Sequence, residues 1–205
     1  MSQIKGTVYG TLMNFACEYR ALAAQLPEPP YRGAPIAPVL YIKTANTFSD
    51  YETTISLPSN VPSVQIRASV GLVMGLAGEV DSLLLLNDLT VPHASFYRPP
   101  VKTKCIDGFL GIAQTARIVS DLSCLDGLQI AIQINDTHVQ TFKLNEMIRS
   151  ASQLLTDVRE FIDLQPGDVL MLGSPFDAPV AKSGDHITIT ALGFAPVSNT
   201  LIAQL

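Results

Sequence analysis

Along this chain apolar residues fall mainly into short runs and two-residue alternations, the periodicity of strands, and only two stretches repeat them at helical spacing. The pattern over residues 6–12 predicts a strand leading into NFACEYRALAAQL, whose alanines favour a helix that starts at Asn14 and ends before Pro27. PEPPYRGAP then blocks regular structure, VLYIK reads as a short buried strand, and TANTFSDYET as a loop. Farther on, LQIAIQI and HVQTF flank NDT as a β-hairpin. In NEMIRSASQLLTDVREFI the residues Met147, Leu154, Leu155, Val158 and Phe161 predict a helix behind an Asn145 cap. QPGD before VLMLG and KSGD before ITITALGF are tight turns that feed strands. With no linker, low-complexity segment or repeat, the expectation is a mainly β, α+β protein with a compact β core and two main helices, one domain over 1–205.

One strand breaks its own pattern. In QIRASVGLVMG, residues 65–75, Arg67 and Ser69 stand two apart, so in an extended chain they leave the same face while Ile66, Ala68 and Val70 leave the other. A guanidinium and a hydroxyl projecting together from an otherwise apolar strand mark a candidate site.

Composition narrows what that site can meet. Of 205 residues 47% are hydrophobic and 15% charged, enough apolar material for a substantial core. The formal charge of −5 gives no electrostatic reason to expect nucleic acid or an anionic membrane, so any anion must be met locally. The longest aliphatic run, Leu83 to Leu86, falls far short of the roughly 20 residues that span a bilayer. MSQIKGTVYG lacks a signal peptide's apolar stretch, and the protein is expected to be cytoplasmic. Cys17, Cys105 and Cys124 have no metal-ligand spacing and read as free thiols. A mean hydropathy of +0.29 predicts an oligomer.

Candidate chemistry gathers in two places. Asp88 ends a buried leucine run; one carboxylate alone rarely holds a hard cation, so a turn-capping role competes with a metal site there. VPHASFYRPPVKTKCIDGF is irregular and basic, and Arg98, Lys102 and Lys104 are weighed as an anion site against ordinary solvated charge. Asp107, three residues beyond Lys104, is placed to orient it. Nucleotide-binding loops and a GxSxG elbow are absent, and His93, His138 and His186 fall in unrelated contexts.

SFYRPPVKTKCIDGFLGIA resembles a segment of the fumarylacetoacetate hydrolase family, in which a YYRP pattern precedes a Lys and then Asp-Gly or Asp-Thr. LMNFACEYRAL, VLYIKTANTF, QPGDVLMLGSP and SGDHITITALGF extend the resemblance in order over nearly the whole chain. It implies a mixed β-roll like the C-terminal domain of that family. Within the family, the chain is similar to the first of two homologous halves of a bacterial decarboxylase/isomerase of homoprotocatechuate catabolism. Active members carry Glu-x-Glu and a later Asp around magnesium or manganese; the resemblance aligns these with Arg67, Ser69 and Asp88. Glu18 and Ala21 fall where the family has a His and Glu dyad on its lid.

What the resemblance implies is therefore a subunit with no metal of its own, in which Arg67 and Asp88 pair, beside a homologous metal-binding partner or a second copy. Lys43, Lys104 and Asp107 are its implied catalytic residues, and Arg98, Lys104 and Arg67 its implied contacts to a small polycarboxylate or keto acid. Two rival readings follow from the same residues: an enzyme in which Arg67 and Lys104 replace the metal electrostatically, and an inactive structural or binding module.

Overall fold

The computed structural model describes residues 4–76, 78–93, 95, 97 and 100–204. Its strands, in chain order, are β1 (Val8–Leu12), β2 (Val39–Lys43), β3 (Phe48–Ser49), β4 (Thr54–Leu57), β5 (Val64–Met74), β6 (Val80–Thr90), β7 (Leu110–Ile112), β8 (Arg117–Ile118), β9 (Gln129–Ile134), β10 (Thr137–Lys143), β11 (Val169–Met171), β12 (Val180–Ala181), β13 (His186–Ala191) and β14 (Val197–Ala203). The helices are α1 (Ala16–Leu22), α2 (Val101–Lys104) and α3 (Ala151–Arg159).

A nine-stranded sheet runs in the order β2-β1-β11-β5-β6-β7-β3, with β12 added beside β5 and β8 beside β6. A five-stranded sheet runs β10-β9-β13-β14-β4. Both are mixed: β1 with β11, β3 with β7 and β14 with β4 are parallel, and the remaining pairs antiparallel. The two longest strands form the centre, paired from Gln65↔Thr90 to Met74↔Val80, which sets Arg67 directly across from Asp88. One contiguous apolar cluster takes residues from both sheets and from α3. The sheets approach closely at Gly111 of β7, where a Cβ would lie 2.3 Å from Asn199 Oδ1, so only glycine fits. Among the described residues no helix is long and apolar enough to cross a membrane.

The mainly β architecture and the two main helices agree with the sequence expectation, but both helix starts differ from it. α3 begins behind Ser150, whose Oγ accepts from Gln153 N at 3.2 Å, rather than behind Asn145. The stretch from Leu144 to Glu146 is a separate 3₁₀ turn, and Met147 bridges Phe15. Nor does Asn14 cap α1. Its side chain donates to Arg149 O and Leu172 O and accepts from Arg149 N, which ties the entry of α1 to the entry of α3 and the end of β11. The hairpin turns on Asn135 and Asp136, both at positive φ (50° and 62°), the conformation a two-residue type I′ turn requires. The three cysteines are free thiols.

Candidate functional site

Every strand that contributes to the site does so by the period-2 rule. On β2 Tyr41 and Lys43 are buried while Ile42 between them is exposed. Arg67 and Ser69 come from β5, and Asp88 and Thr90 from β6. α1 brings Glu18 and α2 brings Lys104. Glu18, Lys43, Arg67, Ser69, Asp88 and Lys104 are each no more than 4% exposed.

Asp88 is the hub. Lys104 Nζ and Tyr41 OH both donate to its Oδ2, and Lys43 Nζ lies 2.9 Å from its Oδ1. Lys43 spends its well-aligned hydrogen bonds on two carbonyls, Lys104 O and Phe109 O, the latter at 2.8 Å, so its link to Asp88 is one of charge and proximity. Lys104 also donates to Thr90 Oγ1 at 2.7 Å and sits 4.5 Å from the centre of the Tyr41 ring.

Arg67 belongs to a second pair. Its Nη1 donates to Glu18 Oε1 at 3.0 Å and to Ser174 Oγ at 3.2 Å, and Met13 N donates to the other Glu18 oxygen at 2.5 Å. Among the described residues the buried Nε of Arg67 has no partner, and the hydroxyl of Ser69 makes a long, 3.4 Å contact to Val70 O.

Charge explains how these groups titrate. Burial alone would raise the Asp88 carboxyl, but the Lys104 and Lys43 ammonium groups and the bonds from Lys104 and Tyr41 outweigh it and hold Asp88 well below the usual carboxylate range. Burial pushes Lys104 the other way, down to about 8, because Asp88 restores only part of what desolvation, Arg67 and Lys43 remove. Burial is the larger cause at Lys104, and the neighbouring cations add to it: Lys43, Lys104 and Arg67 face the carboxylates of Asp88 and Glu18. Tyr41 is raised by burial and by Asp88, so it stays a neutral donor.

This donor set does not suit a divalent cation. Such an ion needs several oxygens, yet both carboxylates already face cations, and among the described residues no three Asp, Glu, His or Cys side chains converge.

Several expectations change. Arg67 does not pair with Asp88 despite lying opposite it; two lysines already meet the charge of Asp88 and Tyr41 donates to it, and the guanidinium turns to Glu18. Lys104 is not a solvated loop charge, because α2 folds it inward against β6. Asp107 does not orient it: that carboxylate is exposed and accepts from Asn46 Nδ2 at 2.5 Å. Asp88 is no turn cap but the interior of β6. Lys102 is exposed, and Arg98 lies outside the described residues. Tyr41 stands two residues before Lys43 in VLYIK, so strand periodicity puts both on one face; Ser174 carries no comparable signal in the sequence.

The family profile described as fumarylacetoacetate (FAA) hydrolase C-terminal matches residues 7–202. The 4-hydroxyphenylacetate degradation bifunctional isomerase/decarboxylase of Salmonella dublin is 32% identical over 211 residues, covering 98% of this chain and 48% of that protein. This chain thus spans about half the length of these curated relatives. Among solved structures, a fumarylacetoacetate hydrolase family protein from Yersinia pestis CO92 superposes with a TM-score of 0.81 at 22% identity, covering 98% of this chain and 96% of that one. Fumarylpyruvate hydrolase from Pseudomonas aeruginosa, solved with Mn2+ and pyruvate, gives a TM-score of 0.81 at 16% identity, covering 97% and 90%. These two structures share the fold.

Proposed function

Because the chain belongs to the fumarylacetoacetate hydrolase family, we propose that it is the half without a metal of a decarboxylase/isomerase of homoprotocatechuate catabolism, working beside a homologous half that carries one. The pair would act on 5-oxopent-3-ene-1,2,5-tricarboxylate and 2-hydroxyhepta-2,4-diene-1,7-dioate. One observation carries the reading: the three positions that the resemblance matches to the family's metal carboxylates hold an arginine, a serine, and an aspartate already neutralised by Lys43 and Lys104. Loss of CO2 from such a substrate leaves an electron pair that needs a sink, and in this reading the partner half supplies it. This half supplies shape. The Asp88 network joins β2, β6 and α2 with fixed charges, and the Arg67–Glu18 pair joins β5 to α1.

The test compares the purified chain alone with the chain reconstituted with a homologous half bearing Glu-x-Glu. With magnesium or manganese present, the lone chain should release no CO2 from the tricarboxylate, and the pair should release it. Metal-dependent turnover by the lone chain overturns the reading. Turnover by the lone chain in EDTA would overturn it too, in favour of the enzyme in which Arg67 and Lys104 replace the metal.

A further inference from the structure

Alternation along β6 sends Leu86, Asp88 and Thr90 to one face and Leu85, Asn87 and Leu89 to the other. Asn87 therefore leaves the back of the strand whose front carries Asp88, and it does so within a row of buried leucines. That back faces β14. A Cβ built on Gly111 would stand 3.3 Å from Asn87 Cβ, 3.2 Å from Val197 Cγ1 and 2.3 Å from Asn199 Oδ1, so the two asparagines flank one glycine from opposite sheets. Both are 0% exposed.

The amide of Asn199 has a fixed orientation. Its Nδ2 donates to Asp50 O and Thr53 O, each at 3.1 Å, and because a carbonyl can only accept, the amide cannot be turned round. Oδ1 is thus the atom directed at Gly111. Among the described residues nothing donates to Asn199 Oδ1, and neither Oδ1 nor Nδ2 of Asn87 has a partner. Three orphaned polar atoms on two buried side chains beside one glycine are a costly arrangement unless something completes them.

The strand register leaves room for it. Asn87 pairs with Ala68 on β5 and with Gly111 on β7. Directly opposed residues of neighbouring strands share a face, so the amide stands between a methyl group and a hydrogen, and no larger side chain fills its flanks.

We propose that Asn87 and Asn199 hold one internal water between the two sheets beside Gly111, accepting from Asn87 Nδ2 and donating to Asn199 Oδ1. Water suits this pair: neither side chain carries a charge to hold an ion, and a buried water needs at least two polar partners, which the pair supplies. The water ties the back of β6 to β14 and, through Asn199 Nδ2, to the turn at Asp50 and Thr53, while Asp88 ties the front of β6 to β2 and α2. The strand that carries Asp88 is then fixed on both faces, whatever reaction the chain supports.

Crystallography of the full chain, at a resolution that orders internal water, tests this together with water-exchange NMR on isotope-labelled protein. Density for one water within about 3.2 Å of both Asn87 Nδ2 and Asn199 Oδ1 is expected. In solution the side-chain amide of Asn87 should show the cross-relaxation of a long-lived internal water. A direct bond from Asn87 Nδ2 to Asn199 Oδ1, or a gap between them without water density, overturns the proposal. Asn87→Leu, which extends the row of leucines, should crystallise without the water, and a water kept at Asn199 in that variant overturns the role given to Asn87. If the variant fails to fold, the density and cross-relaxation of the wild type decide alone.

Discussion

Asp88 neutralises two ammonium groups inside the sheet, so its removal strands both. Replacing one member of a buried charge network costs about 3–5 kcal/mol, because the remaining charge keeps its desolvation penalty without its partner. Asp88→Asn should therefore lower unfolding stability in urea by about that amount, whereas Asp157→Asn, at the half-buried surface pair with Arg149, should move the midpoint far less. An equal small effect at both sites would mean that the Asp88 network is not buried in solution. The depressed Asp88 carboxyl stabilises the fold above the ordinary carboxylate pKa and loses that contribution only as pH falls well below it. Lys104 works at the other end of the scale. Folded, it releases its proton from about 8; unfolded, a lysine holds it to roughly 10.4. Between those values the unfolded chain binds more protons, so stability rises with pH. Urea melts should show the wild type gaining on Lys104→Met from pH 8 to pH 10, and a flat difference across that window would contradict the burial of Lys104.

Elements carry the site because glycine lets them come close. In β1, Gly10 lies opposite Tyr41 of β2, and a Cβ there would sit 2.0 Å from the tyrosine ring. Gly10→Ala should force the ring off Asp88 and destabilise by about 1–3 kcal/mol, the usual range for overpacking. Tyr41→Phe removes only the hydroxyl, so a cost for Gly10→Ala no larger than that of Tyr41→Phe would show that the strands part freely. This level also shows what the sequence could and could not disclose. The period-2 spacing of Arg67 with Ser69 and of Tyr41 with Lys43 marks one face of two strands, and the hairpin at Asn135 and Asp136 follows from local turn chemistry alone. The helix caps were misread because Asn14 and Asn145 are plausible local caps, while contacts over more than a hundred residues, Asn14 to Arg149 and Phe15 to Met147, decide where the helices begin. Lys104 was misread for the same reason. Nothing in VKTK announces that α2 will turn its last residue beneath β6, and nothing around Glu18 announces that Arg67 will reach it across 49 positions.

At the scale of the whole molecule, the proposed pairing of two halves would be expected to cover some of the apolar residues left outside. Ile36, Leu76, Ile118 and Leu192 are each 88% exposed or more, on a chain whose mean hydropathy is +0.29. A protein assembled from two homologous halves would have two equivalent places for a metal, and here the two kinds of half should differ. In this chain, a divalent ion near Asp88 would meet Lys43, Lys104 and Arg67, whose charges repel it. Elemental analysis of the complex reconstituted with a Glu-x-Glu half, after dialysis against limiting manganese, should find one metal ion per pair of halves. The lone chain, titrated by calorimetry, should give no stoichiometric site. Two ions per pair, or a saturable micromolar site on the lone chain, would mean that the lysines yield to the cation. That outcome would remove the main reason for treating this chain as the half that lends structure and leaves the metal to its partner.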